Sequence, residues 1–371
     1  MKRYYTAFLF ILIIAFVFSA AAQTVKPTPQ PKTANSDEGD IIKVNSRLVV
    51  VPISVLDASG QPVLGLKKEN FRVSEENKNQ QIEQVSDAEK IPLEIVLLFD
   101  VSASTDSMFK FEQETAAKFL QEVMRPEDRA TIFTIGEKPF IVQAREKADK
   151  SALAVKSIQP TKQQTAFYDS VAAAAIYLQK NAPQNVRKVI LVISDGDDTN
   201  SAGVIKAIFK AEMKIVEGSL SNKELRELRV KSRDSAKIQE QNKVLQSLQN
   251  ADTVFYSINP GGNSYQLNQG SLFGQSNLQR FADETGGTAF LPKFQPTALK
   301  DNFQNTQNMR LNGEMLTRIF RQLANELRAQ YLVQYYSESE FPNNKYVKLD
   351  VGLNNQHNLR LRARQGYFVK N

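Results

Sequence analysis

Asp100, Ser102, Ser104, Thr165 and Asp195 are the residues of this chain whose types and positions suit chemistry. All five offer oxygen, the donor that hard divalent cations prefer. The first three form Asp-x-Ser-x-Ser directly after an apolar run, Leu93-Glu94-Ile95-Val96-Leu97-Leu98-Phe99. Asp195 comes at the end of a second run, Val189-Ile190-Leu191-Val192-Ile193-Ser194-Asp195-Gly196. Both aspartates therefore stand where a buried strand gives way to a loop. Two carboxylates and three neutral hydroxyls make an oxygen-only shell, and Mg²⁺ takes about six oxygens while keeping some water. The position left over suits an acidic side chain from another protein. Mn²⁺ or Ca²⁺ fits the same donor class. Such a site holds a partner and is not a catalyst.

The elements that must position these residues read as α/β. From Ile91 onward, apolar strands alternate with helical patterns. Ala116, Phe119, Leu120, Val123 and Met124 recur at helical spacing, 130–135 reads as a strand, and 168–178 as an alanine-rich helix. Further strands fit 189–193 and 254–258, and a helix over 278–285 stops at Gly286-Gly287, a glycine C-cap. This alternation predicts a Rossmann-like, doubly wound, mainly parallel sheet covered on both faces over 91–330. In such sheets ligands bind beyond the carboxyl ends of strands, where loops from neighbouring strands meet. Asp100 and Asp195 end two such strands. Thr165, just before a helix, adds its hydroxyl.

The flanks are β in character. A strand fits 48–56, the stretch 57–62 is a turn, and short strands fit 71–73 and 81–85, giving a small N-terminal β unit over 41–90. A helix through Leu323, Leu327 and Gln330 leads into strands at 331–336, 346–351 and 359–362, whose apolar-polar alternation marks half-exposed antiparallel strands over 331–371. The two flanks are expected to pair into one small β-sandwich, with the α/β unit inserted between them. The stretch 202–250 is longer than a crossover helix needs. Its alternating lysines, arginines and glutamates suit a helical hairpin or projecting helix with a solvated, salt-bridged face.

The ordered set Asp100-Val101-Ser102-Ala103-Ser104, Thr165 and Ser194-Asp195-Gly196 resembles the metal-ion-dependent adhesion site of von Willebrand factor A (VWA) domains. More narrowly, the chain resembles bacterial exported proteins with a VWFA-related domain. Val63-Leu64-Gly65-Leu66, Asn70-Phe71-x-Val73 and Thr285-Gly286-Gly287-Thr288-Ala289-Phe290 carry that likeness, as do the segments 327–335 and 362–367. It covers about 45–371. The resemblance implies that Ser102, Ser104 and Thr165 contact the metal directly, while Asp100 and Asp195 act through water. The long 202–250 stretch departs from the shorter crossover expected of the family. Asp197 and Asp198 lie nearby and suit turn or cap roles.

The N-terminus bears on compartment. Lys2 and Arg3 precede an apolar stretch over 7–18 and a small-residue end, Ser19-Ala20-Ala21-Ala22. That is the pattern of a secretory signal cut after Ala22, and it is shorter than the ~20 residues of a membrane span. Residues 23–40, rich in Pro, Thr, Gln and Lys, read as a disordered tether. Export to the periplasm or beyond follows, and the absence of cysteine excludes disulfides and thiolate zinc sites. The net charge of +7 is spread among acids, which disfavours nucleic acid as a partner. No enzymatic motif competes. The single histidine, His357, sits in a polar turn, and there is no nucleophile elbow or phosphate loop. The expected function is metal-dependent protein binding. The alternative is a structural protein that binds through its β unit or helical insertion, its metal serving stability alone.

Overall fold

The computed structural model describes residues 46–370, apart from 87–89, 103–105, 162, 217–220, 261–268, 297–298 and 355–357. The segments 1–22 and 23–40, expected to be a signal sequence and a tether, lie outside the described residues, as do Ser104 and His357.

The chain opens with four strands, β1 (Arg47–Leu56), β2 (Phe71–Glu75), β3 (Lys78–Gln80) and β4 (Ile82–Ser86). The α/β unit follows. It runs β5 (Leu93–Asp100), α1 (Asp106–Val123), β6 (Arg129–Ile135), β7 (Phe140–Glu146), α2 (Ala148–Ser157), α3 (Phe167–Asn181) and β8 (Arg187–Ile193). It continues through α4 (Ala202–Val216), α5 (Asn222–Asn250), β9 (Thr253–Ile258), α6 (Gln269–Thr285), β10 (Ala289–Phe290) and α7 (Asn302–Arg328). Four more strands end the fold: β11 (Gln330–Ser337), β12 (Tyr346–Leu353), β13 (Arg360–Ala363) and β14 (Gly366–Phe368).

The central sheet has the order β10-β9-β8-β5-β6-β7, all neighbours parallel except the edge pair β6–β7. Every residue of β5 is buried, which explains its nearly unbroken apolar run. Side chains alternate across the sheet. Ile95, Leu97 and Phe99 meet Phe119 and Leu120 of α1 and Phe320 and Leu323 of α7 on one face. Val96 and Leu98 meet Val171 of α3, Leu245 and Leu248 of α5 and Phe281 of α6 on the other. The two flanking β segments form two further sheets, β13-β1-β11-β4 and β14-β12-β2-β3. Val51, Ile53, Val333 and Tyr335 from the first share one core with Phe71, Val73, Val347 and Tyr367 from the second. The sandwich draws on both ends of the described chain.

Arg187 sits where the α/β unit begins and ends. Its backbone N–H donates to Pro92 O at 2.9 Å, its Nε to Ile91 O at 3.1 Å, and its Nη1 to Leu327 O. Beside it, Val55 N–H donates to Ala329 O at 3.2 Å.

Several elements differ from the pattern-based expectation. Helix α6 starts nine residues before Leu278, because Gln269 to Asn277 is polar and carries little periodicity. Gln330, read with the preceding helix, pairs with Ser54 as the first residue of β11. The 202–250 stretch is the helix pair α4 and α5, but the second half of α5 is core. Ala236, Val244, Leu245 and Leu248 are buried there, so that half does the work of the crossover helix. A capping box, with Ser221 N–H on Glu224 Oε2 at 2.8 Å and Glu224 N–H on Ser221 Oγ at 3.4 Å, starts α5. Among the described residues no helix is long and apolar enough to cross a membrane.

Candidate metal centre

Strands β5 and β8 run side by side with Phe99 opposite Ile193, so Asp100 and Ser194 emerge together at the sheet edge. Ser194 Oγ donates to Asp100 Oδ2 at 2.6 Å. The other oxygen, Oδ1, accepts Ser102 N–H at 2.9 Å and Ser102 Oγ at 2.6 Å. Because the Ser102 hydroxyl spends its proton on Asp100, its lone pairs remain for a cation. Asp100 thus stands behind Ser102.

Thr165 is stitched to both loops. Thr161 N–H donates to Val101 O at 2.8 Å, tying this segment to the loop after β5. Thr165 O accepts Thr199 N–H at 2.9 Å and Asn200 N–H at 3.0 Å, and Thr165 N–H donates to Thr199 Oγ1 at 2.8 Å. Those bonds tie it to the loop after β8, which carries Asp195. Four of the five expected residues therefore converge on one edge, and Ser104 lies outside the described residues. Among the described residues no three acids or histidines cluster as a metal set. The donors gathered here are two carboxylates with hydroxyls.

Burial pushes the Asp100 carboxyl above the usual carboxylate range, against the hydrogen bonds from Ser102 and Ser194 that pull it down. Asp195 is raised first by burial as well, with the charge of Asp197 adding to it and Lys237 opposing. Asp100 is buried while Asp195 is exposed beside it, and a hard divalent cation next to the hydroxyls would supply positive charge to both carboxylates. The donor set fits that group.

Of the other residues around the site, Lys237, Asn277 and Glu112 were not legible in sequence, whereas Asp198 takes the cap role expected of it. Lys237 of α5, only 5% exposed, places Nζ 2.8 Å from Asp197 Oδ1. It reads in sequence as one more lysine of a charged helix. Asp198 caps helix α3 by accepting Tyr168 N–H at 3.1 Å, and it also accepts Ser201 N–H at 3.1 Å. Asn277 of α6 is fully buried and donates to Gly196 O at 2.9 Å, while its Oδ1 accepts Tyr168 OH at 3.1 Å and Gln241 Nε2 at 3.0 Å. Glu112 of α1 lies buried within the field of Asp100, and burial first, then that charge, pushes its carboxyl up to about 8. It therefore holds a proton at neutral pH. Gly196 has φ of +76°, and its Cα faces Gly274 of α6 backbone to backbone.

Residues 95–197 match the model of the von Willebrand factor type A domain. This stretch is a VWA domain. The matched stretch opens inside β5 and closes just past Asp195, so it spans the whole candidate site. Solved structures with a similar fold include proximal thread matrix protein 1 from the mussel byssus. It is 12% identical at a TM-score of 0.39, covering 67% of this chain and 49% of the mussel protein. One structure of that protein has a zinc-occupied MIDAS motif. Another similar structure is an aerotolerance-related membrane protein from Bacteroides fragilis NCTC 9343, 14% identical at a TM-score of 0.32. That match covers 61% of this chain and 99% of the other. The chain thus spans about half the length of the mussel protein. No curated protein matches it.

Proposed function

We propose that this VWA domain binds another protein through a divalent cation, Mg²⁺ first, held at the carboxyl edge of its sheet. The observation that carries the reading is the set of hydrogen bonds that joins Ser102 and Ser194 to Asp100 and ties Thr165 to the loop after β8, the loop that carries Asp195. Ser102 and Thr165 offer hydroxyl oxygens, and Ser104 extends the set by its place in the motif. Asp100 orients Ser102 and contributes charge from behind it; Asp195 contributes the second charge. What a bound Mg²⁺ supplies there is an open, positively charged position for an Asp or Glu carboxylate of the partner. Lys237 holds Asp197 aside from that position.

The reading is of a binding module and not an enzyme. Among the described residues the acceptor of the Ser102 hydroxyl is Asp100, a carboxylate already engaged by Ser102 N–H and Ser194 Oγ and therefore a weak proton acceptor for a nucleophile. The signal-like residues 1–22 support action outside the cytoplasm.

Thermal unfolding in Mg²⁺, Mn²⁺, Ca²⁺ or chelator tests the metal. At about 100 times its dissociation constant the cation should add roughly 2.7 kcal/mol to the native state. Ser102→Ala and Asp195→Ala should lose that gain. A parent protein indifferent to all three cations would remove the metal from the proposal.

A further inference from the structure

Helix α4 is apolar on two faces, and the fold covers one of them. Val204, Ala207 and Ile208 pack onto the core beside the sheet. Ile205, Phe209 and Met213, spaced i, i+4 and i+8, form a second apolar row that stands 42%, 60% and 51% exposed. Single exposed apolar residues are ordinary, but a contiguous row of large ones marks a contact surface. A helix apolar on two opposed faces is normally covered on both.

Charge beside the row says what covers it. Lys206 and Lys210 follow Ile205 and Phe209 by one residue each, which sets both along one edge of the row, and both are exposed. The acid on the opposite edge, Glu212, is neutralised by Arg229 at 3.2 Å. Over 202–233 the sequence holds eight lysines and arginines against four acids. Pairing this face with itself in a second copy would set lysine against lysine with no free acid in the row. The row is also small, on the order of 300 Å², against the roughly 800 Å² per partner of a stable protein interface. A bilayer surface has no such threshold. Large apolar side chains bordered by lysines suit the headgroup boundary of an anionic membrane.

We propose that the outer face of α4 docks onto an anionic lipid surface, with Ile205, Phe209 and Met213 entering the headgroup boundary and Lys206 and Lys210 on lipid phosphates. The contact is separate from the metal centre and is unaffected by chelator.

Co-sedimentation of the full chain with vesicles tests it, using phosphatidylcholine alone or with 30% phosphatidylglycerol. Binding to the anionic vesicles should exceed binding to the neutral ones at least tenfold and fall as salt rises. Ile205→Ser/Phe209→Ser/Met213→Ser should lose tenfold or more, and Lys206→Gln/Lys210→Gln about tenfold. These side chains are exposed, so unfolding temperatures should hold; if the triple variant does not fold, Phe209→Ser alone serves. The apolar residues 7–18 are the same in every variant, so undiminished binding in the α4 variants overturns the proposal. Equal binding to neutral vesicles, no binding at all, or self-association abolished by Phe209→Ser would overturn it too.

Discussion

Gly274→Ala is expected to lower stability and to abolish the response to metal, although helix propensity alone predicts the opposite. Alanine is favoured over glycine inside a helix by about 1 kcal/mol. Here the added Cβ would lie 2.5 Å from Asp195 O, 2.7 Å from Asp197 N and 2.9 Å from the Gly196 carbonyl carbon. All three are backbone atoms, so no side-chain rotation relieves the collision. Overpacking of this kind costs typically 1–3 kcal/mol and occasionally more. Relief requires α6 to back away or the Asp195 loop to shift, and either movement loosens the Asn277 bond to Gly196. We expect a net loss of about 2 kcal/mol and no Mg²⁺-dependent rise in melting temperature. Gly313→Ala is the matched control. It too lies in a helix, but its Cβ meets only the Phe111 ring at 3.3 Å, which can turn. Scanning calorimetry of both variants with and without Mg²⁺ decides. A Gly274→Ala protein at least as stable as the parent, still answering to metal, would show that the close approach does not govern the site.

Glu75→Ala should destabilise the sandwich more than any other single polar-to-apolar change in its strands. Glu75 is 1% exposed at the end of β2. Its carboxylate accepts Ser337 Oγ at 2.8 Å, Tyr335 OH at 3.2 Å and Tyr367 OH. Three donors from β11 and β14 therefore converge on one acceptor from the opposite end of the chain. Alanine leaves three hydroxyls buried without it, each worth about 1–3 kcal/mol. Partial re-pairing among them brings the expected loss to roughly 3–5 kcal/mol. Glu75→Gln, which keeps the shape and one acceptor, should lose about half as much. The chain has no tryptophan, so tyrosine fluorescence follows urea unfolding, with Tyr335 and Tyr367 two of the eleven tyrosines that contribute. A midpoint for Glu75→Ala indistinguishable from the parent would mean that the hydroxyls find other acceptors.

How far the fold was legible depended on where each segment's apolar residues go. β5, β8 and β9 are buried on both faces and announce themselves as apolar runs. The site was legible for a related reason: its residues fall at the ends of those runs, in a motif order that strand topology brings together. β7 left no such signal, because this antiparallel edge strand is half exposed along its length and alternates poorly. The first half of α7 and the start of α6 are rich in asparagine and glutamine, which satisfy one another and nearby backbone, as Asn312 does with Gln295 at 2.7 and 2.9 Å. Pattern reading weighs apolar spacing and misses them. Lys237 and Glu75 were illegible for a deeper reason. A buried charge looks like a surface charge until its partners, far away in sequence, are known.

Each strand of the first sandwich sheet waits on the last part of the chain. Arg47 pairs with Ser337, and the whole VWA unit lies between them. Closing a loop that long costs more than closing one of a few tens of residues, by roughly 2 kcal/mol. A folded VWA unit removes that difference, because Arg187 holds Pro92 and Leu327 together and thereby delivers β1 and β11 to each other. Folding should then run from the inside outward, the inserted unit acting as the template on which the two ends zip. Pulse-labelled hydrogen exchange should find amides of β5 and β8 protected before those of β1 and β11, and the reverse order would contradict it. Were the chain exported unfolded, as its signal-like residues 1–22 would have it, the sandwich would become a completion signal, formed only once β11 to β14 had arrived.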